Sequence, residues 1–64
     1  MITWREAKEF MALDPSNKVR RPSWDDGAYW TRDESARLFD ESSARVRIGQ
    51  VLAEGPNDDW EMVN

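Results

Sequence analysis

The feature that most constrains this chain is the joint absence of cysteine and histidine from only 64 residues. A domain of that size buries roughly 60% of the surface its unfolded chain exposes. Small domains commonly make up the shortfall with disulfides, a metal or a partner subunit. Disulfides are excluded here, and a structural zinc site lacks its usual ligands. Two sources of stability remain, self-association and a core built on aromatic area. Four tryptophans supply the second, so Trp4, Trp30 and Trp60 are expected in the core rather than in a ligand cage. The length accommodates one domain over 1–64 and leaves no room for another.

Local signals point to an α+β fold. Thr3-Trp4-Arg5-Glu6 is a capping box, in which a hydroxyl and a carboxylate satisfy each other's backbone N–H groups. Trp4, Ala7, Phe10, Met11 and Leu13 then recur at helical spacing until Asp14-Pro15, which predicts a helix over 4–13. Residues 18–22 and 28–33 have strand character around Asp25-Asp26-Gly27, a turn signal, and predict a hairpin. Residues 37–41 and 44–48 flank Ser42-Ser43 and predict a second hairpin, with Val46 and Ile48 facing inward; a helix over 33–47 is the competing reading. A short helix is expected at 50–54, stopped by Gly55-Pro56, and a closing strand at 59–63. The expected architecture is an N-terminal amphipathic helix packed on a small antiparallel sheet of two hairpins and a C-terminal strand, with a short second helix. The expected core comprises Trp4, Ala7, Phe10, Met11, Val19, Trp30, Leu38, Val46, Ile48, Leu52 and Trp60. No internal repeat is evident.

Groups suited to catalysis are scarce. Without histidine or cysteine the commonest general base and thiol nucleophile are missing, and no serine lies in Gly-x-Ser-x-Gly or Ser-x-x-Lys spacing. The three glycines sit in turns and form no phosphate loop. The carboxylates lack calcium-loop spacing. The expectation is a binding protein with no enzymatic activity, metal or cofactor. Met1 to Glu6 carry mixed charge without the apolar run of a signal peptide. No segment approaches the ~20 apolar residues of a membrane span. Absent cysteine suits a reducing compartment, so a cytoplasmic location without membrane association is expected.

Charge is unevenly distributed. Residues 1–24 carry a net +2 and residues 25–64 a net −6, within an overall −4. The acids come in pairs, Asp25-Asp26, Asp33-Glu34, Asp40-Glu41 and Asp58-Asp59, with Glu61 following. Such a surface repels nucleic acid and attracts basic partners. Any single pair is accounted for as a solvated turn, whereas four in forty residues define a candidate partner-binding face. A second candidate site is Lys18, Arg20, Arg21, Trp24 and Tyr29, where guanidinium groups suit a phosphate and the rings suit a base. The alternative is that Arg20 and Arg21 pair with the acidic turns while Trp24 fills the core.

Four stretches in this order, Thr3-Trp4-Arg5-Glu6-Ala7, Lys18-Val19-Arg20-Arg21-Pro22-Ser23-Trp24, Gly27-Ala28-Tyr29-Trp30 and Asp58-Asp59-Trp60-Glu61-Met62-Val63, resemble the Thoeris anti-defence two-like domain, a small family of phages and prophages. The resemblance covers the two ends of the chain. Residues 31–57 depart from the family pattern, being shorter and more acidic. Characterised members of that family sequester cyclic nucleotide immune signals in pockets formed between subunits. In size and charge the chain is also similar to small acidic anti-CRISPR proteins. The resemblance implies a phage counter-defence protein in the host bacterial cytoplasm, and two modes of action follow. In one, the acidic face blocks a basic, nucleic-acid-binding surface of a bacterial defence complex. In the other, a homo-oligomer acts as a sponge for a cyclic nucleotide through the second candidate site. An accessory phage structural protein is a third possibility.

Overall fold

The computed structural model describes residues 1–63 and has the α+β architecture, in the order α1 (Trp4–Leu13), β1 (Lys18–Arg20), β2 (Trp30–Arg32), β3 (Leu38–Asp40), α2 (Ile48–Glu54) and β4 (Glu61–Val63). The capping box opens α1: Thr3 Oγ1 accepts the Glu6 N–H at 3.1 Å and Glu6 Oε1 accepts the Thr3 N–H at 3.0 Å. A cap of this kind contributes about 1 kcal/mol. The helix stops at Asp14, whose backbone is extended before Pro15.

The four strands form one antiparallel sheet in the order β3-β2-β1-β4. Directly opposed residues share a face, so the register Val19↔Trp30, Val19↔Met62 and Trp30↔Asp40 sets these four on one side. Helix α1 packs on that side, against β1, β2 and β4. The opposite face carries Lys18, Arg20, Thr31, Phe39, Glu61 and Val63. Ala7, Met11, Val19, Trp30, Val46 and Trp60 form the buried core, with Ile2, Trp4, Phe10, Trp24, Leu38 and Val51 packed around it. The four indoles make one cluster, with ring centroids 4.8–5.8 Å apart across five pairs.

The structure departs from the sequence expectation in its middle section. Residues 37–41 and 44–48 do not form a full hairpin. β3 pairs with β2, and the returning chain adds one bridge, Phe39↔Arg45, with Val46 N–H donating to the Leu38 carbonyl. Ile48 then starts α2 instead of continuing a strand, because Gln50 Oε1 accepts the Arg47 N–H at 2.9 Å and fixes the helix start. Helix α2 therefore begins two residues earlier than expected and turns Val51 inward. Ile48 and Leu52 are 78% and 68% exposed and do not belong to the core. The strands are shorter than expected as well. β1 stops at Arg20 because Arg21 leaves the ladder to bind carboxylates, as described below.

Candidate functional site

Topology gathers most of the paired acids. β1 and β3 run toward the same end of the sheet, and β4, antiparallel to β1, starts there. Asp25-Asp26, Asp40-Glu41, Asp58-Asp59 and Glu61 consequently meet at one end. With strands ~4.8 Å apart, the four strands spread these acids over about 14 Å. Asp33-Glu34, in the β2–β3 turn, lies at the opposite end.

Within the pairs, roles are divided. Asp33 and Asp40 build their turns. Asp33 Oδ1 accepts the Ser35 and Arg37 N–H groups at 2.9 and 2.8 Å, and Asp40 Oδ1 accepts those of Ser42 and Ala44 at 2.8 and 3.0 Å. The two segments, Asp33-Glu34-Ser35-Ala36 and Asp40-Glu41-Ser42-Ser43, are the same turn used twice. In each, the fourth N–H donates back to the aspartate carbonyl, and the fourth residue has positive φ, 65° at Ala36 and 62° at Ser43. This is a type I turn closed by a left-handed residue, a common three-residue hairpin connection. The chain thus contains a short internal repeat that its hydrophobic pattern does not reveal. The signal is the Asp-Glu-Ser repeat seven residues apart, since an aspartate readily binds the amide two residues on. Asp14 does the same for Ser16, at 2.8 Å.

Asp59 is held by Arg21 in a two-pronged contact, Nε to Oδ1 at 2.8 Å and Nη2 to Oδ2 at 3.1 Å. Arg21 Nη1 also binds Glu54 Oε1, which accepts Trp24 Nε1 at 3.1 Å as well. Arg21 thereby fastens the loop after β1 to the end of α2 and the start of β4. Its guanidinium, hydrogen-bonded to Asp59 and Glu54, has its pKa pushed further up. The same bond holds the Asp59 carboxyl below its ordinary 3.8. Asp33 is lowered chiefly by the Arg37 amide, and Asp14 by the Ser16 amide. By contrast Asp25, Asp26, Glu34, Glu41 and Asp58 make no side-chain hydrogen bond or ion pair among the described residues. Glu61 lies 4.0 Å from Arg20 Nε.

The second candidate set is divided by the sheet. Lys18 and Arg20 project from the face opposite α1, where the Lys18 ammonium sits 4.7 Å from the centre of the Tyr29 ring. Arg20 Nη2 donates to the Trp24 carbonyl at 3.2 Å. Arg21 and Trp24 instead converge on Glu54, and the Trp24 ring packs against Trp30 and Trp60 at 5.1 and 5.3 Å. The five residues do not form one pocket within this chain. Among the described residues no three carboxylates converge as metal ligands, and no helix is long and apolar enough to cross a membrane. Comparison with protein-family models, curated proteins and solved structures returns no match to this chain.

Proposed function

We propose that this chain is a phage-encoded counter-defence protein of the host cytoplasm, an anti-CRISPR-type inhibitor acting stoichiometrically and without catalysis. Its acidic end covers a basic, nucleic-acid-binding surface of a bacterial defence complex. The observation that carries this reading is the convergence of three acidic pairs and Glu61 on one end of the sheet. Asp40 and Asp59 hold that end together, while Asp25, Asp26, Glu41 and Asp58 stay free to face a partner. Free carboxylates on fixed turns mimic the spaced charges of a nucleic-acid backbone, and such complementarity speeds association and blocks the competing ligand. The resemblance of the chain's ends to a phage anti-defence family supports the counter-defence part of this reading, while the nucleotide sequestration known in that family supports the second reading below.

The test is competition for DNA binding by a panel of purified CRISPR effector complexes. The wild-type chain should displace DNA from one of them at a 1:1 ratio. The quadruple variant Asp25→Asn, Asp26→Asn, Glu41→Gln and Asp58→Asn should keep its fold and lose affinity by tenfold or more, about 1.4 kcal/mol. Competition by the neutral variant at full strength, or by the wild type against no complex, overturns the reading.

A second reading, a cyclic-nucleotide sponge, has one observation in its favour. Lys18, Arg20 and Tyr29 present a cation pair and a ring on the sheet face that α1 leaves uncovered. It expects an oligomer that gains thermal stability with one member of a cyclic-nucleotide panel. A monomer indifferent to all of them removes it.

A further inference from the structure

Positive charge is also gathered in one place. Helix α1 straddles the sheet, and its flank toward β3 carries Arg5 and Lys8, one turn apart. Across from them stands Arg32 of β2, whose cross-strand partner is Leu38. The three cations rim a groove of about 370 Å³ whose other lining includes Ala12, Ala36 and Leu38. Only one acid, Glu9, lines it, and its contact with Arg5 is an exposed pair at 3.6 Å. Arg32 is the anchored member. Its Nη1 donates to the Lys8 carbonyl at 3.2 Å, and its remaining donors have no partner among the described residues. A guanidinium fixed at one corner presents its free edge as a rigid fork, the geometry that binds an oxyanion through two parallel bonds.

We propose that this groove binds a small organic phosphate monoester, with the phosphate held by Arg32 and flanked by Arg5 and Lys8, and a compact apolar body lying on Ala12, Ala36 and Leu38. Three cations exceed the single charge of a carboxylate and match a phosphate monoester, which carries about −1.5 to −2 at neutral pH and three acceptor oxygens. The apolar floor accounts for the ester's body, which inorganic phosphate lacks. In a chain of net charge −4, three cations and one acid line this groove, while Asp33 and Glu34 line the adjoining cavity that shares Ala12 and Arg32 with it. The site is separate from the acidic end, on another side of the molecule, and stands or falls independently of the function proposed above.

Phenyl phosphate, benzoate and inorganic phosphate, titrated into the isotope-labelled chain and followed by amide and arginine Nε resonances, provide the test. Phenyl phosphate should produce saturable shifts at Lys8, Arg32, Ala36 and Leu38 with a dissociation constant of about 1 mM or tighter. Benzoate and inorganic phosphate should bind at least tenfold more weakly. Arg32→Gln should weaken phenyl phosphate at least tenfold. The double variant Arg5→Gln and Lys8→Gln, at two exposed positions and with the Lys8 ammonium 5.7 Å from the Trp4 ring as its one aromatic contact, should weaken it severalfold and guards against a folding defect in the first variant. Non-saturable shifts, equal binding of benzoate or inorganic phosphate, or full binding by the double variant would overturn the proposal.

Discussion

Ala36 and Ser43 occupy left-handed backbone without being glycine, at φ 65° and 62°. That conformation costs an L-residue about 1–2 kcal/mol, offset in part by the lower chain entropy of a non-glycine residue in the unfolded state. Ala36→Gly and Ser43→Gly should therefore each stabilise the domain, by about 0.5–1 kcal/mol in a urea titration. Gly55 behaves in the opposite sense. It is buried, and a Cβ there would lie 2.6 Å from the Val51 carbonyl oxygen and 3.2 Å from the Trp4 ring. Gly55→Ala should cost about 1–3 kcal/mol, the usual range for overpacking. Three aspartates contribute to the acid response. Asp14, Asp33 and Asp59 have carboxyls held below the ordinary 3.8. A depressed carboxyl contributes stability that is complete above its unfolded value and disappears as pH falls through its folded value. The thermal midpoint should thus hold steady down to about pH 4.5 and fall below pH 4. In Arg21→Ala, which releases Asp59, the part of that fall due to Asp59 should vanish.

At the scale of elements, the two outer strands of the sheet are covered to different extents. β3 is flanked by residues 44–46, and the approach to β4 is closed by reciprocal bonds between Ile2 and Trp60, at 2.9 and 3.1 Å. An uncovered edge invites pairing with other chains, and past Trp60 no bridge covers the outer side of β4 among the described residues. Helix α2 is held by few groups. Val51 touches the core, Gly55 rests on Trp4, and Glu54 is bound by Arg21 and Trp24. Ile48→Lys and Leu52→Gln should consequently change stability by no more than about 0.5 kcal/mol, whereas Val51→Ala should cost about 1 kcal/mol or more. This contrast also marks where the sequence was legible. Helix α1 was readable to the residue because its start and stop are both written in local chemistry, at Thr3-Glu6 and Asp14-Pro15. Ile48 reads as strand in the sequence because Arg45 to Ile48 alternates, while the deciding bond, from Arg47 to Gln50, leaves no trace in hydrophobic periodicity. The pairs of acids were visible as pairs, but which member is spent on a turn follows from the serine two residues on. The gathering of three pairs at one end depends on strand order, which no local signal specifies.

For the whole molecule, the balance of forces rests on tryptophan. Total stability for a chain of this length is about 3–10 kcal/mol, and truncating one buried indole removes about 3–5. Trp30→Ala should leave the domain largely unfolded at 37 °C by circular dichroism. Trp60→Phe should be milder, since Trp60 Nε1 is buried without a partner and its removal also removes an unpaired donor. Around this core the charges are segregated: cations rim the α1 groove, free carboxylates cluster at one end of the sheet, and Arg21 bridges the elements behind that end. The indole cluster has a spectroscopic consequence. Four chromophores held at fixed angles within 6 Å of their neighbours share their excited states. The native protein should show a far-ultraviolet exciton couplet and a blue-shifted emission that vanish together on unfolding, so its folding can be followed without a label.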